Sequence, residues 1–426
     1  DLTAMENFDF ETIVDRRNTG NMKAYIAPAR VREKGLQTFN AAEMDFKTAP
    51  SVIEAMKACA ENGLMGFTLC DEIYLNAVCY WMETQRHTVV QPEWIVPTHG
   101  TIFSAATCIR LFTSPEERII VQPPVYNRYK QAADRLGRET VYNSLMEDGR
   151  GGYDMDFEDL EKKMSDPRNK LLILCNPQNP VGRVWKEEEL EVIARLAVKY
   201  GCMVYSDEIF ADYAFSGRRV TPYFTVNGGK NNGITAVSLG KTFNFTGVNH
   251  ANMIISDDGL RESFVRQRNR DHYGSLDPMT RAAVIGAYSV QGIAWKAEAE
   301  KLIWENYKRI VEAFSENLPQ VRISPLQGGY VIWMDWRALG LAPEALAEKL
   351  EEADFILDEG TDYCISEPGF YRMSIAAPTR VVDEALMRLK RVFDFCAPSV
   401  RVDAVGSQGG YIQSVERTPS TGRFDR

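Results

Sequence analysis

Between about residue 95 and residue 255, short apolar runs alternate with stretches whose apolar positions recur at helical spacing. Lys170-Leu171-Leu172-Ile173-Leu174-Cys175 is almost continuously apolar, as befits a strand covered on both faces. A loop, Asn176 to Arg183, follows it. From Lys186 to Tyr200, Leu190, Ile193, Ala194 and Ala197 share one helical face, three glutamates fill the first turn, and Gly201 stands just past the end. Met203-Val204-Tyr205-Ser206 predicts the next buried strand, with Asp207 at its carboxyl end. Strand, helix and strand in this order predict a parallel pair joined by a crossover. Ile234-Thr235-Ala236-Val237-Ser238 predicts a further strand that ends three residues before Lys241.

The pattern then changes. From about 285 to 318 it is helical and highly charged, which predicts one long connecting helix into a second lobe. Strand-like pieces at Gly329-Tyr330-Val331-Ile332-Trp333-Met334 and Tyr371-Arg372-Met373-Ser374 alternate with amphipathic helices, as in an α+β lobe. Residues 403 to 426 are rich in Gly, Ser, Thr and Arg and read as a polar tail.

Composition narrows the partners. Lys and Arg total 49 against 59 Asp and Glu, a net charge of -10 that disfavours nucleic acid and anionic lipid. No apolar run approaches the roughly 20 residues that span a bilayer, so no membrane association is expected. The eight cysteines lack a C-x-x-C pair, and the first residues, Asp1 to Asp9, lack the charge and apolar core of a signal peptide. These features predict a reduced, cytoplasmic protein. The four histidines have no metal-ligand spacing, so no metal is expected.

Open parallel sheets bind ligands beyond the carboxyl ends of their strands, where Asn179, Asp207 and Lys241 all fall. A lysine, a carboxylate and an amide so placed suit pyridoxal 5'-phosphate: an amine for its aldehyde, an anion for its pyridine nitrogen, a donor for its ring oxygen. Tyr126 offers an aromatic face, and Ser238 with Gly100-Thr101 offers phosphate donors. The rival reading of Gly240-Lys241-Thr242 as a nucleotide phosphate loop fails, because the required first glycine falls on Thr235.

The stretches Cys175-Asn176-Pro177-Gln178-Asn179-Pro180-Val181-Gly182, Ser206-Asp207-Glu208-Ile209 and Ser238-Leu239-Gly240-Lys241-Thr242-Phe243-Asn244 resemble, in order, the signature segments of the class I/II aminotransferase family of pyridoxal-phosphate enzymes. Phe370-Tyr371-Arg372-Met373-Ser374 resembles the segment whose arginine binds the substrate α-carboxylate. Two N-terminal stretches, Phe8 through Lys23 and Ala42-Glu43-Met44-Asp45-Phe46-Lys47-Thr48-Ala49-Pro50, resemble the bacterial cystathionine β-lyase subgroup.

The resemblance implies an α/β fold of type I, with a mostly parallel seven-stranded sheet in a large domain and a smaller α+β domain. It implies a segment 1–50 that packs with the small domain, a cofactor domain over 51–294, a small domain over 295–397 and a tail over 398–426. By the same resemblance Lys241 carries the cofactor and moves the α-proton. Asp207 pairs with the ring nitrogen, Asn179 meets the ring oxygen and Tyr126 stacks on the ring. Gly100, Thr101, Ile102 and Ser238 cradle the phosphate, and Arg372 takes the substrate carboxylate. The implied activity is carbon-sulfur β-elimination from an amino acid by a homodimer, with transamination as the alternative and a non-catalytic regulator as a third reading. Three positions depart from the wider family. Phe210 and Phe67 stand where tyrosines are usual, and Asn249 stands where many members have an arginine.

Overall fold

A computed structural model of the chain describes residues 8–393. The expected tail over 398–426 and Cys396 lie outside the described residues. Strands β1 (Ile95–Thr98), β2 (Arg118–Val121) and β3 (Glu139–Tyr142) are followed by the small hairpin β4 (Met146–Glu147) and β5 (Tyr153–Asp154). Next come β6 (Asn169–Cys175), β7 (Met203–Asp207), β8 (Gly233–Val237) and β9 (Ala251–Ile254). Seven of them form one sheet in the order β1-β9-β8-β7-β6-β2-β3. Strands β3, β2, β6, β7 and β8 run parallel, whereas β9 opposes both its neighbours.

Burial explains the sequence pattern. In β6, Leu171 to Leu174 are fully buried because apolar clusters cover both faces of the sheet. The crossover helix Glu187–Tyr200 starts where the Lys186 N–H donates to the Glu189 carboxylate at 2.7 Å, and it stops at Gly201 with φ of 66°.

The single helix expected over 285–318 is two helices, Pro278–Ala287 and Val290–Asn317. Ser289 caps the second by accepting from the Gly292 N–H at 3.1 Å, and a Cβ at position 292 would meet the Ala287 carbonyl oxygen at 1.8 Å. The chain turns there through a contact that only glycine permits, a feature that a periodicity of apolar positions does not register.

A second sheet is fully antiparallel, in the order β10 (Arg322–Ile323), β11 (Val331–Asp335), β13 (Phe370–Ser374), β12 (Asp358–Glu359). The N-terminal segment runs beside it. The Phe39 N–H donates to the Ile356 carbonyl at 2.9 Å, the Ser374 N–H to Phe39 O at 2.8 Å, and the Asp45 N–H to Ala376 O at 2.9 Å. That segment is also pinned from inside, because the Lys23 ammonium lies 2.9 Å from the Asp45 carboxylate with side chains only 1% and 2% exposed. Among the described residues no helix is long and apolar enough to cross a membrane.

Candidate active site

Asp207 is the last residue of β7, opposite Cys175 on β6 and Ala236 on β8. The next residue fixes its direction. Glu208 turns away into a buried ion pair with Arg86 at 2.5 Å and accepts from the Tyr223 N–H at 2.8 Å. Asp207 is 4% exposed and receives the Tyr129 hydroxyl at 2.6 Å and the Ile209 N–H at 3.0 Å. Burial pushes its carboxyl up, while bonds from Tyr129, Ile209 and Thr101 and the charge of Lys241 pull the other way. A buried carboxylate in this position favours a cationic partner.

Lys241 sits on a one-turn helix, Leu239–Thr242. Ser238 follows the last strand residue, Val237, and caps this turn: its Oγ accepts from the Gly240 N–H at 3.0 Å and donates to His250 O at 2.8 Å. The Ser238 hydroxyl proton is therefore used within the protein. The Lys241 amine donates to Ala42 O at 2.7 Å and lies 5.8 Å from the centre of the Phe210 ring. Burial and the nearby Arg372 charge bring its pKa down to about 8, against the opposing pull of Glu43, Asp207 and Asp358. An amine so depressed is a usable nucleophile and base near neutral pH.

Asn179, in the loop after β6, accepts from Arg372 Nη1 at 3.0 Å through its side-chain oxygen, which leaves its amide N–H groups as the donors. Arg372 is 4% exposed on β13. Burial opposes its charge, yet Tyr363 and Asp358 hold it more firmly protonated than an ordinary arginine. Tyr126 is half-buried, with its ring edge-on to Tyr129 at 6.0 Å.

Gly100 precedes the helix Thr101–Phe112 with φ of 105°, a backbone that favours glycine, and its missing Cβ faces the His250 backbone nitrogen. The first N–H groups of that helix, including those of Thr101 and Ile102, have no partner within the helix and are donors of the kind that suit an anion. His250 links this side to Tyr74, whose hydroxyl is 3.0 Å from Nε2, and burial brings the imidazole down to about 4, so it is neutral at physiological pH.

Lys241, Asp207, Asn179, Tyr126, Arg372, Ser238 and the Gly100 terminus thus converge at the carboxyl edge of the parallel strands. The arrangement suits pyridoxal phosphate: a half-buried amine for the aldehyde, a buried carboxylate for the ring nitrogen, and a positive-φ glycine before a helix terminus for the phosphate. Phe210 is buried edge-on against Tyr330 at 5.2 Å, whereas Asn249 and Phe67 are exposed. Sequence reasoning missed Tyr129, His250, Asp358, Tyr330 and the Ala42 carbonyl. Tyr129 lies three residues after Tyr126, so helical spacing was the available signal; a backbone carbonyl leaves none.

Beneath the site, the Cys175 thiol lies 3.5 Å from the Tyr129 hydroxyl, and burial pushes it up to about 12. Cys202 is likewise pushed up to about 12 by burial, and Cys108 well above the usual thiol range.

Fold and site together define a type I α/β enzyme scaffold. Residues 36–389 match the model of the family described as aminotransferase class I and II, and the chain belongs to that family. Among its relatives, cystathionine beta-lyase PatB of Bacillus subtilis is 34% identical over 351 residues, covering 82% of this chain and 90% of that protein. Protein MalY of Escherichia coli is 28% identical over 385 residues, covering 90% and 98%. The crystal structure of cystalysin from Treponema denticola, which contains a pyridoxal 5'-phosphate cofactor, superposes with a TM-score of 0.85 at 30% identity. It covers 91% of this chain and 99% of that one.

Proposed function

We propose that this protein is a pyridoxal-phosphate-dependent carbon-sulfur β-lyase that cleaves cystathionine or related cysteine S-conjugates. The observation that carries the reading is the half-buried Lys241 amine, held at a lowered pKa beside the buried Asp207 carboxylate, at the strand edge where a type I scaffold presents its ligand. The name of PatB, a cystathionine beta-lyase, adds support for the lyase chemistry, and the likeness to cystalysin, which contains pyridoxal 5'-phosphate, adds support for the cofactor.

Bound pyridoxal phosphate supplies an electron sink for the charge left when a substrate loses its α-proton. The chain's own residues do the rest. Asp207 would hold the ring nitrogen protonated, and the Asn179 amide would donate to the ring oxygen, with no hydroxyl at Phe210 to assist. Tyr126 would offer its aromatic ring to the cofactor. Gly100, Thr101 and Ile102 offer backbone N–H groups to the phosphate, and Ser238 stiffens the neighbouring turn. Arg372 fixes the α-carboxylate, which orients the Cα–H bond toward the Lys241 amine, and that amine takes the proton. A thiolate then leaves Cβ. The net reaction of R–S–CH2–CH(NH3+)–COO− with water gives R–SH, pyruvate and ammonium.

Incubation of the cofactor-loaded protein with cystathionine or an S-alkyl cysteine should release pyruvate and thiol in equal amounts. Stoichiometric pyridoxamine phosphate with no pyruvate would overturn the reading in favour of transamination. Cofactor trapped on Lys241 by borohydride with no turnover of any amino acid would favour a non-catalytic regulator.

The same reading includes a homodimer. Leu64, Met65, Phe67, Leu69 and Ile73 form an exposed apolar stretch of the kind that marks a protein interface. A strictly monomeric yet active species in sedimentation would contradict it. A cofactor domain over 51–294 and a small domain over 295–397 belong to the same reading, supported by the presence of two separate sheets with strands in 95–254 and 322–374. The free cysteines of the described residues accord with a reducing, cytoplasmic compartment.

A further inference from the structure

Arg372 is oriented by a neighbour on the next strand. Asp358 stands opposite it in the antiparallel register, and its Oδ2 accepts from Arg372 Nε at 3.0 Å and Nη2 at 2.5 Å. Nη1 donates to Asn179 at 3.0 Å. One N–H remains on each terminal nitrogen, the pair that an end-on carboxylate fork requires. The second Asp358 oxygen faces another part of the chain, where Oδ1 accepts from the Ala41 N–H at 3.0 Å.

Ala41 has φ of 56°, in the left-handed region where its Cβ is unfavourable, so this bend persists only through contacts that hold it. Just beyond the bend, the Ala42 carbonyl receives the Lys241 amine at 2.7 Å and the Tyr330 hydroxyl at 3.0 Å. Asp358 therefore touches the arginine with one oxygen and the bend with the other.

We infer that Asp358 is a positioning residue that ties the carboxylate fork of Arg372 to the Ala41–Ala42 bend that receives the Lys241 amine. The inference rests on the roles given above to Lys241 and Arg372. The groups that face the Lys241 amine are the Arg372 guanidinium, which disfavours its charge, and the carboxylates of Glu43, Asp207 and Asp358, which favour it. Removing the Asp358 charge leaves Arg372 less compensated and frees the bend. Both changes lower the pH at which the amine protonates.

Asp358→Asn tests the coupling, since it keeps an acceptor at only one of the two oxygen positions, Oδ1 toward the Ala41 N–H or Oδ2 toward Arg372. In the cofactor-loaded enzyme, KM for an S-alkyl cysteine should rise at least tenfold. In the full chain stripped of cofactor, the pH midpoint for modification of Lys241 by an amine reagent should fall below that of the unaltered protein. Thermal unfolding establishes that the variant is folded, and Asp358→Ser takes its place if it is not, with the same two results expected. A raised KM with an unmoved lysine midpoint, a moved midpoint with an unchanged KM, or neither change would overturn the inference. Failure of the unaltered protein to bind pyridoxal phosphate would instead defeat the proposed function, while the lysine midpoint would still report on Asp358.

Discussion

Two regions meet at Lys241, and they are built by opposite means. On one side, Asn179, Asp207 and Lys241 lie just past successive strands of the large sheet or at the end of one, each placed by its own strand-to-helix step. On the other side, the Ala41–Glu43 bend, Tyr330, Asp358 and Arg372 come from an N-terminal segment and an antiparallel sheet hundreds of residues later in the chain. The first side is positioned by local chain geometry and a dry sheet. The second is positioned by polar contacts between distant segments. The contrast teaches that, in our reading, cofactor attachment depends on the scaffold, whereas substrate placement depends on a network that single charge changes can loosen.

The comparison breaks most severely at its meeting point. Lys241→Ala should lower pyruvate release by about four orders of magnitude, since it removes the group that moves the α-proton. Breaking the polar side alone should act on folding. Lys23→Met leaves the buried Asp45 with only Arg16 beside it and should destabilise the protein by about 3 kcal/mol in urea unfolding. Cofactor affinity of the folded fraction should change little. Arg372→Lys should raise KM about a hundredfold with a smaller effect on kcat, because an ammonium cannot offer the planar fork that engages a carboxylate.

The smallest effect lies on the scaffold side and depends on pH. His250 is neutral in the folded chain with a pKa of about 4, below the ordinary value of 6.5, so the unfolded chain takes up the proton first as pH falls. Stability contributed by the neutral ring is present above about 6.5 and is lost as pH falls toward 4. At pH 5 the loss should be about 2 kcal/mol relative to pH 7. His250→Gln should flatten that part of the profile.

These two regions also differ in how far the amino-acid sequence reveals them. The strands β6, β7 and β8 are legible because burial on both faces demands unbroken apolar runs, and the residues just beyond them follow directly. Arg372 was legible through the segment around it. Its partner Asp358 was not, because β12 has only two residues and carries no periodicity. The break between Ala287 and Val290 escaped for a related reason: a glycine contact decides it rather than an apolar pattern. Ala42 acts through its backbone, which is the same in every residue.

The cysteine beneath the site has a consequence for inactivation chemistry. Thiolates, not thiols, attack electrophiles. With Cys175 pushed up to about 12 by burial, its sulfur remains protonated at neutral pH, although it stands on the strand beside Asp207. In the cofactor-free chain an electrophile that reaches the site meets instead the amine of Lys241, whose pKa of about 8 leaves an appreciable unprotonated fraction at neutral pH.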